Sequence, residues 1–418
     1  MNNRIELPRG VCGIIEELEA RGFEAYAVGG AVRDLCLGRA PGDFDVTTSA
    51  LPEEVKAVFA RTVDTGIAHG TVTVLRAGIG YEVTTYRIDG RYSDARHPES
   101  VEFTRSLAED LRRRDFTINA MAYNPRTGLV DLFHGREDLT RGLIRAVGVP
   151  EERFREDALR IMRCVRFAAQ LGFAIEEETL RAAETLSGTL AMISRERIRE
   201  ELLKILLSDH PEHIETLYRI GAYRAFLKEE PSPEDVSRTV RILANLPKDR
   251  VLRTAAFLIG LSGPSASAEA CAAFAADVLA ELKFDNDTRD AVLVLASHRT
   301  LSPDRSRPAV RRLIAGIGYE GFDRLIALLT AERTADGLRS DDLRELSESR
   351  REIEACGHCV RMKDMKLKGK DLIAMGVAPG KAMGELLSEL FNEVLEDPAL
   401  NTPEALTRLA EERLASVK

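Results

Sequence analysis

The 418-residue sequence predicts a small α/β domain followed by a long, entirely helical remainder. In roughly the first 140 residues, short apolar segments alternate with helical ones, as they do in mixed α/β domains. Two of the strand-like segments, HGTVTVLRAG and YEVTTYRI, are rich in Val and Thr. From about residue 150 the strand patterns stop, and apolar residues recur three and four positions apart, as in amphipathic helices. The chain is also too long for a single hydrophobic core.

The elements of the α/β part are predicted in the order α, β, α, β, α, β, β. A helical pattern at 9–21 leads to the apolar strand AYAV, a turn at Gly29 and Gly30, and the helical segment AVRDLCLG. The second strand is FDVTTS. The segment LPEE after it predicts a helix, with Ser49 as a candidate N-cap and Pro52 near the first turn. The two Val- and Thr-rich strands complete this part.

The helical remainder is indicated by four amphipathic segments, DALRIMRCVRFAAQLGF, RERIREELLKILLS, TVRILANL and AAFAADVLAELKF. Polar stretches that contain proline, at 228–235, 262–269 and 298–309, are candidate joints between its parts. The sequence has no repeat of fixed period, which excludes a solenoid.

Composition favours a cytoplasmic protein. No apolar run approaches the roughly 18 residues of a membrane span, and the opening MNNRIELPRG lacks the order of a secretory signal. The six cysteines are scattered, which does not indicate a disulfide framework. Cys356 and Cys359 have the spacing of a redox pair, but no βαβ pattern surrounds them, so a chance surface pair is the favoured interpretation.

The net charge of −9 alone argues against a nucleic-acid partner, but basic residues are locally concentrated. Residues 153–166 hold five Arg against two acidic residues, and 361–370 hold five basic residues against one. An acidic protein can bind phosphates when its basic residues are gathered in this way. A solvated helix face is the alternative for 361–370.

The turn at Gly29 and Gly30 is the first candidate site. Between a strand and a helix, two glycines let a phosphate approach the backbone, and free N–H groups at the helix start favour negative charge. Arg33, one turn into the helix, adds a guanidinium group that can donate two hydrogen bonds to a phosphate. A glycine pair alone is a weak signal, because many strand-to-helix turns carry one for steric reasons.

Asp43 and Asp45 form the second candidate site. They lie where a strand is predicted to begin, so their side chains are predicted to share a face, because successive strand residues point to opposite sides. A carboxylate pair without a nearby His or Cys favours a hard ion, Mg²⁺ or Mn²⁺, shared with substrate phosphates. With the glycine turn, the pair predicts a metal-bound nucleoside triphosphate and phosphoryl or nucleotidyl transfer. Two exposed aspartates at a strand end are the alternative.

A third candidate site is the segment LRRRDFTINAMAY. Three consecutive arginines precede Asp115 and Asn119, which predicts phosphate and ribose contacts. A solvated turn is the alternative, but the polar residues continue directly into an apolar segment, which makes that interpretation less attractive.

The segment EDALRIMRCVR is predicted to be a helix that reads a nucleotide base. On one helix Asp157 and Arg160 share a face, while Arg163 and Arg166 wrap around the surface. Cytosine and adenine present an amino donor beside a ring-nitrogen acceptor, so a carboxylate with a guanidinium matches them and opposes uracil and guanine. Each opposed polar group costs about 1 to 3 kcal/mol, enough for useful discrimination. An ordinary surface ion pair is the alternative. The predicted buried stripe of this helix is Ala158, Ile161, Met162, Val165 and Ala169.

Several motifs resemble those of a known family. GGAVRDLCLGRAPGDFD, TGIAHGTVTV, RRRDFTINAMAY, EDALRIMRCVRFAAQLGF and SRERIREEL, in this order, resemble the class II CCA-adding enzymes of the tRNA nucleotidyltransferase and poly(A) polymerase family. The C-terminal KGKDLIAMGVAPGKAMGELLSEL also resembles the family's tail. Together the motifs cover about half of the chain. The sequence has no His-Asp dipeptide, so the resemblance is to the bacterial type without a phosphohydrolase domain.

The resemblance implies an α/β, polymerase-beta-like nucleotidyltransferase head followed by an all-α neck, body and tail. The implied domains are the catalytic head at 1–145, the neck at 146–208, the body at 209–330 and a tRNA-binding tail at 331–418. The implied reaction adds CCA to the 3′ end of tRNA from CTP and ATP, without a template, and releases pyrophosphate. Mg²⁺, or Mn²⁺, is the implied cofactor. Expected partners are tRNA, CTP and ATP, with no membrane, and a homodimer is left open.

The resemblance also assigns roles to single residues. It implies that Asp43 and Asp45 are catalytic and hold the metal. Glu196 and Arg197 are implied to brace the base-reading helix. The implied nucleotide-binding residues are Gly30, Arg33, Arg114, Asp115, Asp157, Arg160, Arg163 and Arg166.

Within the family, several activities are open. Residues 87–103 resemble the loop whose absence marks enzymes that stop after CC, so a CC-only enzyme is disfavoured. The lack of a GRRF-like stretch disfavours a poly(A) polymerase. An enzyme that adds only A, a poly(A) polymerase and a non-catalytic RNA-binding protein are the alternatives. Asn124-Pro125 stands where the family more often has Asp-Pro, which leaves the role of that turn open.

Overall fold

The computed structural model describes residues 5–89, 101–300 and 304–416. Two compact units divide the chain. The first extends to Glu230 and includes Glu281–Lys283, and the second comprises Pro231–Ala280 and the described residues from Phe284 onward. The boundary at Glu230 falls inside the predicted joint at 228–235. None of the helices in the three described ranges is long and apolar enough to cross a membrane.

A mixed α/β fold forms the beginning of the first unit. Its helices and strands are α1 (Arg9–Ala20), β1 (Ala25–Val28), α2 (Gly30–Cys36), β2 (Asp45–Thr48), α3 (Pro52–Val58), β3 (Thr62–Gly66), β4 (Thr71–Arg76), β5 (Ile79–Thr85), β6 (Arg87–Asp89), β7 (Val101–Phe103), α4 (Leu107–Arg112), β8 (Met121–Asn124), β9 (Gly128–Asp131), α5 (Gly135–Arg141) and β10 (Leu143–Ile144). The helix predicted at 9–21 and the four predicted strands are confirmed. Strands β3, β7, β8, β9 and β10 are additional to the prediction.

Seven strands form one mixed sheet in the order β3-β4-β5-β2-β1-β8-β9. The β2–β5 pair is parallel, and the other neighbouring pairs are antiparallel. Asp45, the first residue of β2, lies opposite Val28 at the end of β1 and opposite Glu82 in β5. The turn after β1 and the start of β2 are therefore at the same end of the sheet.

Helix α1 packs against the sheet because its apolar residues recur at helical spacing. Its buried residues are Val11, Ile14, Ile15 and Leu18. A Cβ atom at Gly10 would collide with the hydroxyl of Tyr81 on β5, so the helix approaches that strand closely where it has no side chain.

Ser49 is not the N-cap of α3, contrary to the prediction. The N-cap is Leu51, whose N–H donates to the carboxylate of Glu54 at 2.7 Å. The Ser49 hydroxyl instead accepts a hydrogen bond from the N–H of Glu24, which precedes β1, at 2.9 Å. Pro52 lies at the start of the helix, as predicted.

The rest of the first unit is mostly helical. It contains α6 (Pro150–Glu156), α7 (Leu159–Leu171), β11 (Ala174–Ile175), α8 (Glu177–Leu186), α9 (Arg195–Leu206) and α10 (His213–Arg219). The expectation that strands end near residue 150 is wrong by one short strand, because β11 pairs in parallel with β10. All five residues of the predicted apolar stripe are fully buried.

In the second unit, the described elements are helical. They are α11 (Pro233–Ala244), α12 (Arg250–Leu261), α13 (Ala268–Glu281), α14 (Asn286–Ser297), α15 (Arg307–Ala335), α16 (Asp341–Ala355), α17 (Gly369–Ala374), α18 (Lys381–Glu396) and α19 (Pro403–Ser416), with α13 ending at the boundary. Helix α15 is interrupted at Gly318, whose φ of 75° is not helical. The last three helices share an apolar core around Leu372, Leu390 and Leu406.

Candidate active site

The turn between β1 and α2 has the conformation that requires glycine. Gly29 has φ 74°, and a Cβ atom there would lie 3.3 Å from the Arg114 guanidinium. Gly30 begins α2. Arg33, one turn further, is held in place, since its Nη1 donates to Asn119 at 2.9 Å and its Nε to Asp34 at 2.8 Å. Two guanidinium groups, those of Arg33 and Arg114, therefore lie near the glycine turn.

The three consecutive arginines have different surroundings. Arg112 is mostly exposed, with 61% of its side chain accessible, and pairs with Glu109. Arg113 and Arg114 both donate to the fully buried carboxylate of Asp110, at 2.8 and 3.2 Å. Burial alone would raise the pKa of Asp110, but the two guanidinium groups outweigh it and lower that pKa. Asp110 thus fixes the position of Arg114 beside the glycine turn.

Asp45 is the first residue of β2, and Asp43 precedes the strand. The alternation argument for a shared face therefore does not apply to Asp43. Asp43 nonetheless lies only two residues from Asp45, and Glu82 lies opposite Asp45 in β5. Partial burial of Asp45, with the charges of Asp43 and Glu82, raises its pKa to about 6 against the opposing effect of Arg114. Both aspartates keep solvent-exposed surface.

Glu82 belongs to this group of carboxylates and was missed in the sequence. Its position opposite Asp45 follows from the parallel pairing of β2 and β5, which are separated in the chain by three elements. The available signal was a charged residue inside the strand YEVTTYRI, but strand register cannot be deduced from one strand alone.

The carboxylate group has the chemistry of a divalent cation site. The negative charges that help raise the pKa of Asp45 would be compensated by a bound cation such as Mg²⁺, which prefers carboxylate oxygens. Within the three described ranges, no three His, Cys, Asp or Glu side chains are arranged to hold a metal by themselves. An ion at Asp43 and Asp45 therefore requires further ligands, and phosphate oxygens or water are the usual ones for Mg²⁺.

Asp115 is buried and engaged by several donors. Arg163 donates to it from Nε at 2.8 Å, Asn119 at 3.1 Å, and the N–H of Phe116 at 2.8 Å. The Asp115 carboxylate therefore holds the Arg163 guanidinium of α7 against the α/β part of the first unit.

The prediction that Asp157 and Arg160 lie on one helix is wrong. Asp157 has φ −140° and ψ 105°, and it lies in an extended break between α6 and α7. Its carboxylate accepts from Arg197 on α9 at 2.8 Å. Arg160, near the start of α7, pairs with Glu156 and donates to the carbonyl oxygens of Arg153 and Arg113, the latter at 2.8 Å. A helix break was not anticipated because the segment contains neither Gly nor Pro.

The two residues remain candidates for one site, because only a short stretch of chain separates them. The backbone N–H of Arg160 donates to the carbonyl of Asp157 at 2.9 Å. Since each side chain is held by other groups, they do not form the simple ion pair that was the alternative. The resemblance implied that Glu196 and Arg197 brace the helix itself. Arg197 instead contacts Asp157 in the break before α7. Glu196 pairs with Lys283 on an exposed surface.

Arg166 is buried rather than on the surface, contrary to the prediction. It is 9% exposed, and its Nε lies 2.8 Å from a carboxylate oxygen of the buried Glu201. Burial lowers the pKa of Arg166 to about 10. Its guanidinium also lies 3.9 Å from the ring centre of Phe167, which Arg33 and Arg163 approach at 5.1 and 5.4 Å.

Phe167 and Glu201 were also missed as site residues. Both look like ordinary helix residues in the sequence, and only the packing of α7 against α9 reveals their role. Phe167 provides one aromatic face around which three guanidinium groups gather, and Glu201 compensates the charge of Arg166.

The chain matches three protein-family models. Residues 25–145 match the Poly A polymerase head domain, and 267–410 match tRNA nucleotidyltransferase domain 2. Residues 172–231 match a model described as "Probable RNA and SrmB- binding site of polymerase A".

Two curated proteins similar to this chain are both described as CCA-adding enzymes. The CCA-adding enzyme of Lactiplantibacillus plantarum is 57% identical over 198 residues, which are 47% of this chain and 49% of that protein. The CCA-adding enzyme of Lactobacillus delbrueckii subsp. bulgaricus is 48% identical over 255 residues, 57% of this chain and 64% of that protein. The chain thus spans about half the length of the first of these curated relatives and under two thirds of the second.

A solved structure extends the similarity to nearly the whole chain. The crystal structure of the Bacillus stearothermophilus CCA-adding enzyme in complex with CTP is 33% identical, with a TM-score of 0.78, and the match covers 97% of both chains. The fold is that of a nucleotidyltransferase head followed by a helical extension. The chain belongs to the CCA-adding enzyme family.

Proposed function

We propose that this protein adds CCA to the 3′ end of tRNA, using CTP and ATP in a Mg²⁺-dependent reaction without a nucleic-acid template. The observation that carries the proposal is the grouping of Asp43 and Asp45 beside the glycine turn, in the same unit as Asp157 and Arg160. The family supports it further, because the similar protein from B. stearothermophilus was solved with CTP.

The triphosphate binds on the glycine side of the carboxylates. Gly29 and Gly30 leave room for phosphate, and Arg33 and Arg114 supply positive charge beside them. Both guanidinium groups are held by carboxylate or amide partners, so little ordering entropy is lost when phosphate binds.

Asp43 and Asp45 hold the Mg²⁺. When bound, the ion lowers the pKa of the RNA 3′-hydroxyl and neutralises charge on the phosphates. The hydroxyl loses its proton to water as its oxygen forms a bond to the α-phosphorus, the bond from that phosphorus to the oxygen bridging to the β-phosphate breaks, and pyrophosphate leaves with the electron pair. The protein's part is to orient the two reactants, because phosphoryl transfer requires little covalent help.

Asp157 and Arg160 read the base. The carboxylate accepts from the amino group of cytosine or adenine, and the guanidinium donates to the adjacent ring nitrogen. Uracil and guanine present the opposite pattern and leave buried polar groups opposed. Arg197 and the backbone carbonyls around Arg160 hold these two side chains in position. Arg163 and Arg166 complete the nucleotide site, with Asp115 positioning Arg163.

The helical parts bind tRNA. The proposed division is a catalytic head at 1–145, a neck at 146–208, a body at 209–330 and a tRNA-binding tail at 331–418. The family match at 25–145 supports the extent of the head, and the RNA-binding description of the match at 172–231 supports RNA binding by the helical parts. The matches at 172–231 and 267–410 each cross one of the proposed boundaries, at 208 and at 330. The basic residues of 361–370 give the tail a phosphate-binding surface despite the overall charge of −9.

Replacing either catalytic carboxylate tests the proposed chemistry. We expect Asp43→Ala and Asp45→Ala to reduce nucleotide addition by at least about a thousandfold, because metal-held charge stabilisation is lost, while tRNA binding persists. Asp64→Ala is the matched control, since Asp64 is a half-exposed aspartate on β3 that pairs with Lys56. Addition and filter binding are measured on the same preparations. Full activity in either catalytic variant contradicts the assignment.

Replacing Arg197 tests base reading. We expect Arg197→Met to free the Asp157 carboxylate and lower kcat/KM for CTP and ATP by about ten- to a hundredfold, with weaker selection against UTP. The neighbouring Glu196→Gln removes only an exposed ion pair and should change these values less than threefold. Incorporation of each nucleotide is measured separately. An unchanged preference over UTP in Arg197→Met shows that selection lies elsewhere.

A further inference from the structure

The ring of Phe167 contacts two parts of the proposed nucleotide site. Arg33 lies on α2 beside the glycine turn, whereas Arg163 and Arg166 lie on α7. Their guanidinium carbons are 5.1, 5.4 and 3.9 Å from the centre of the Phe167 ring. The ring is only 6% exposed, so water weakens these cation–π contacts little. An aromatic side chain of α7 thus contacts the arginine beside the glycine turn.

The orientation of this ring is fixed by a second aromatic residue. Phe116 is fully buried and packs edge to face against Phe167, with 5.7 Å between the ring centres and 77° between the ring planes. The backbone N–H of Phe116 donates to the Asp115 carboxylate at 2.8 Å. A rotation of the Phe167 ring would therefore disturb its packing against the α/β part.

Asn119 connects Arg33 to α7 by a second route. Its side-chain oxygen accepts from Nη1 of Arg33 at 2.9 Å, and its nitrogen donates to Asp115 at 3.1 Å. The other carboxylate oxygen of Asp115 accepts from Nε of Arg163 at 2.8 Å. Arg33 and α7 are therefore linked twice, once through this chain of hydrogen bonds and once through the Phe167 ring.

Arg33 can bind a phosphate while it keeps these contacts. A guanidinium has five N–H groups, which are more than its bonds to Asn119 and Asp34 require. Its Nη2 would lie 3.6 Å from a Cβ atom at Gly30, so it borders the turn where the triphosphate is proposed to bind. Arg33 is thus able to contact the triphosphate and the two links to α7 at the same time.

The positive charges around the ring also affect one another. Burial is the main cause that lowers the pKa of Arg166 to about 10, and the charges of Arg163 and Arg33 contribute to that shift. The arginines are therefore close enough to repel, and a phosphate bound at Arg33 reduces the repulsion. Negative charge at the glycine turn thus changes the electrostatic energy of the arginines on α7.

We propose that Phe167 and Asn119 are positioning residues that couple the triphosphate at Arg33 to the base-reading start of α7. Arg160 lies one turn before Arg163 on this helix, so a helix held at Arg163 is also held at Arg160. A triphosphate that engages Arg33 then favours the position of α7 in which the base is read. Each part of the nucleotide strengthens the binding of the other. The inference rests on the function proposed above.

A comparison of four nucleotides tests this coupling in the whole chain without RNA. Dissociation constants for CTP, UTP, CMP and UMP are measured with Mg²⁺ by displacement of a fluorescent CTP analogue. The preference for CTP over UTP, divided by the preference for CMP over UMP, gives the factor by which the triphosphate strengthens base selection. A change that only weakens nucleotide binding in general leaves this factor unchanged.

Two variants each remove one of the two links. Phe167→Leu keeps a buried apolar side chain but removes the aromatic face, and Asn119→Ala removes the amide between Arg33 and Asp115. Phe154→Leu is the matched control, because Phe154 is a fully buried ring on α6 in the same unit.

We expect a factor of at least about five for the wild type, which is at the lower end of usual couplings between two sites. The factor should fall at least about twofold in Phe167→Leu and in Asn119→Ala, because each variant removes one link. Phe154→Leu should keep the factor of the wild type.

Three results overturn the assignment. The first is a wild-type factor near one, and the second is a variant that keeps the wild-type factor, which removes that residue from the coupling. The third is an equal fall in Phe154→Leu, because loosened packing would then be the cause. A wild-type protein that binds CTP no better than UTP contradicts the proposed function itself. Clear selection of CTP with an unchanged factor in both variants contradicts only the coupling.

Discussion

Asp115 and Arg163 form an ion pair that joins the α/β part to α7, with the carboxylate buried and 34% of the Arg163 side chain exposed. Asp115 is 7% exposed, and Arg163 and Asn119 donate hydrogen bonds to its carboxylate. Burial alone would raise the pKa of Asp115, but the charge and the hydrogen bonds of Arg163, with Asn119, hold that pKa well below its ordinary value. The folded protein therefore prefers the ionised form more strongly than the unfolded chain does.

Asp115→Asn should destabilise the protein by about 2 kcal/mol at pH 7, because it leaves the Arg163 charge without its counterion. The pKa of Asp115 is lowered on folding, so its contribution is fully present above the unfolded value of about 4. It is lost as the pH falls from about 5 toward the lower folded pKa. The difference in unfolding free energy between wild type and variant should thus shrink between pH 7 and pH 3.5.

The measurement is urea-induced unfolding followed by circular dichroism at both pH values. Asp64→Asn, at an exposed position on β3, is the control and should change stability by less than about 0.5 kcal/mol. A difference between wild type and Asp115→Asn that is the same at both pH values contradicts the electrostatic account.

For single residues, the sequence predicted which residue types form the site but not which side chains they contact. Asp157 and Arg160 were placed on one helix face, whereas Asp157 contacts Arg197, which lies 40 positions later. Arg166 was expected on the surface and is buried against Glu201. Partner choice depends on how α7 and α9 cross, and local spacing carries no information about that crossing.

Helix α5 begins at a glycine that the packing requires. Gly135 is buried, and a Cβ atom there would collide with the carbonyl oxygen of Thr117 and lie 2.8 Å from its carbonyl carbon. The obstacle is backbone rather than the end of a flexible side chain. The short helical turn Thr117–Asn119 can therefore lie against α5 only if position 135 has no side chain.

Gly135→Ala should lower the unfolding free energy by about 1 to 3 kcal/mol, the usual cost of overpacking. Gly188→Ala is the matched control, because a Cβ there meets nothing within 4 Å. It should be neutral or slightly stabilising, since alanine restricts the unfolded chain. Thermal and urea unfolding of both variants check the expectation. Equal stability of the two variants would mean that the Thr117 backbone can move aside at little cost.

Among the helices and strands, those whose apolar residues recur at regular spacing were predicted from the sequence. Those without such spacing were not. Helix α1 and strands β4 and β5 have clear apolar spacing, and all three are confirmed. Strand β3, TVDTG, is an edge strand with little burial, so it has no apolar alternation to detect. The break at Asp157 was missed because no Gly or Pro marks it, and the Asp157 carboxylate accepts from the N–H of Leu159 at 3.0 Å as well as from Arg197.

For the molecule as a whole, the α/β and helical parts were predicted from the spacing of apolar residues, and the change near residue 150 is confirmed except for the short strand β11. The carboxylates, the glycine turn and the arginine segments were identified in the sequence, and the structure brings them into one unit. The place of Glu82 beside Asp45 was not predictable, because it depends on the strand order β5-β2-β1. The loop predicted at 87–103 falls largely outside the described residues.

The central claim is that this protein completes CCA without a template. The direct measurement incubates the purified chain with Mg²⁺ and a tRNA transcript that lacks CCA, supplies each nucleotide alone and in combination, and resolves product lengths. We predict two added nucleotides with CTP alone, three with CTP and ATP together, and none with UTP or GTP. No extension, an A tract of open-ended length, or addition of A only to RNA already ending in CC would contradict the claim.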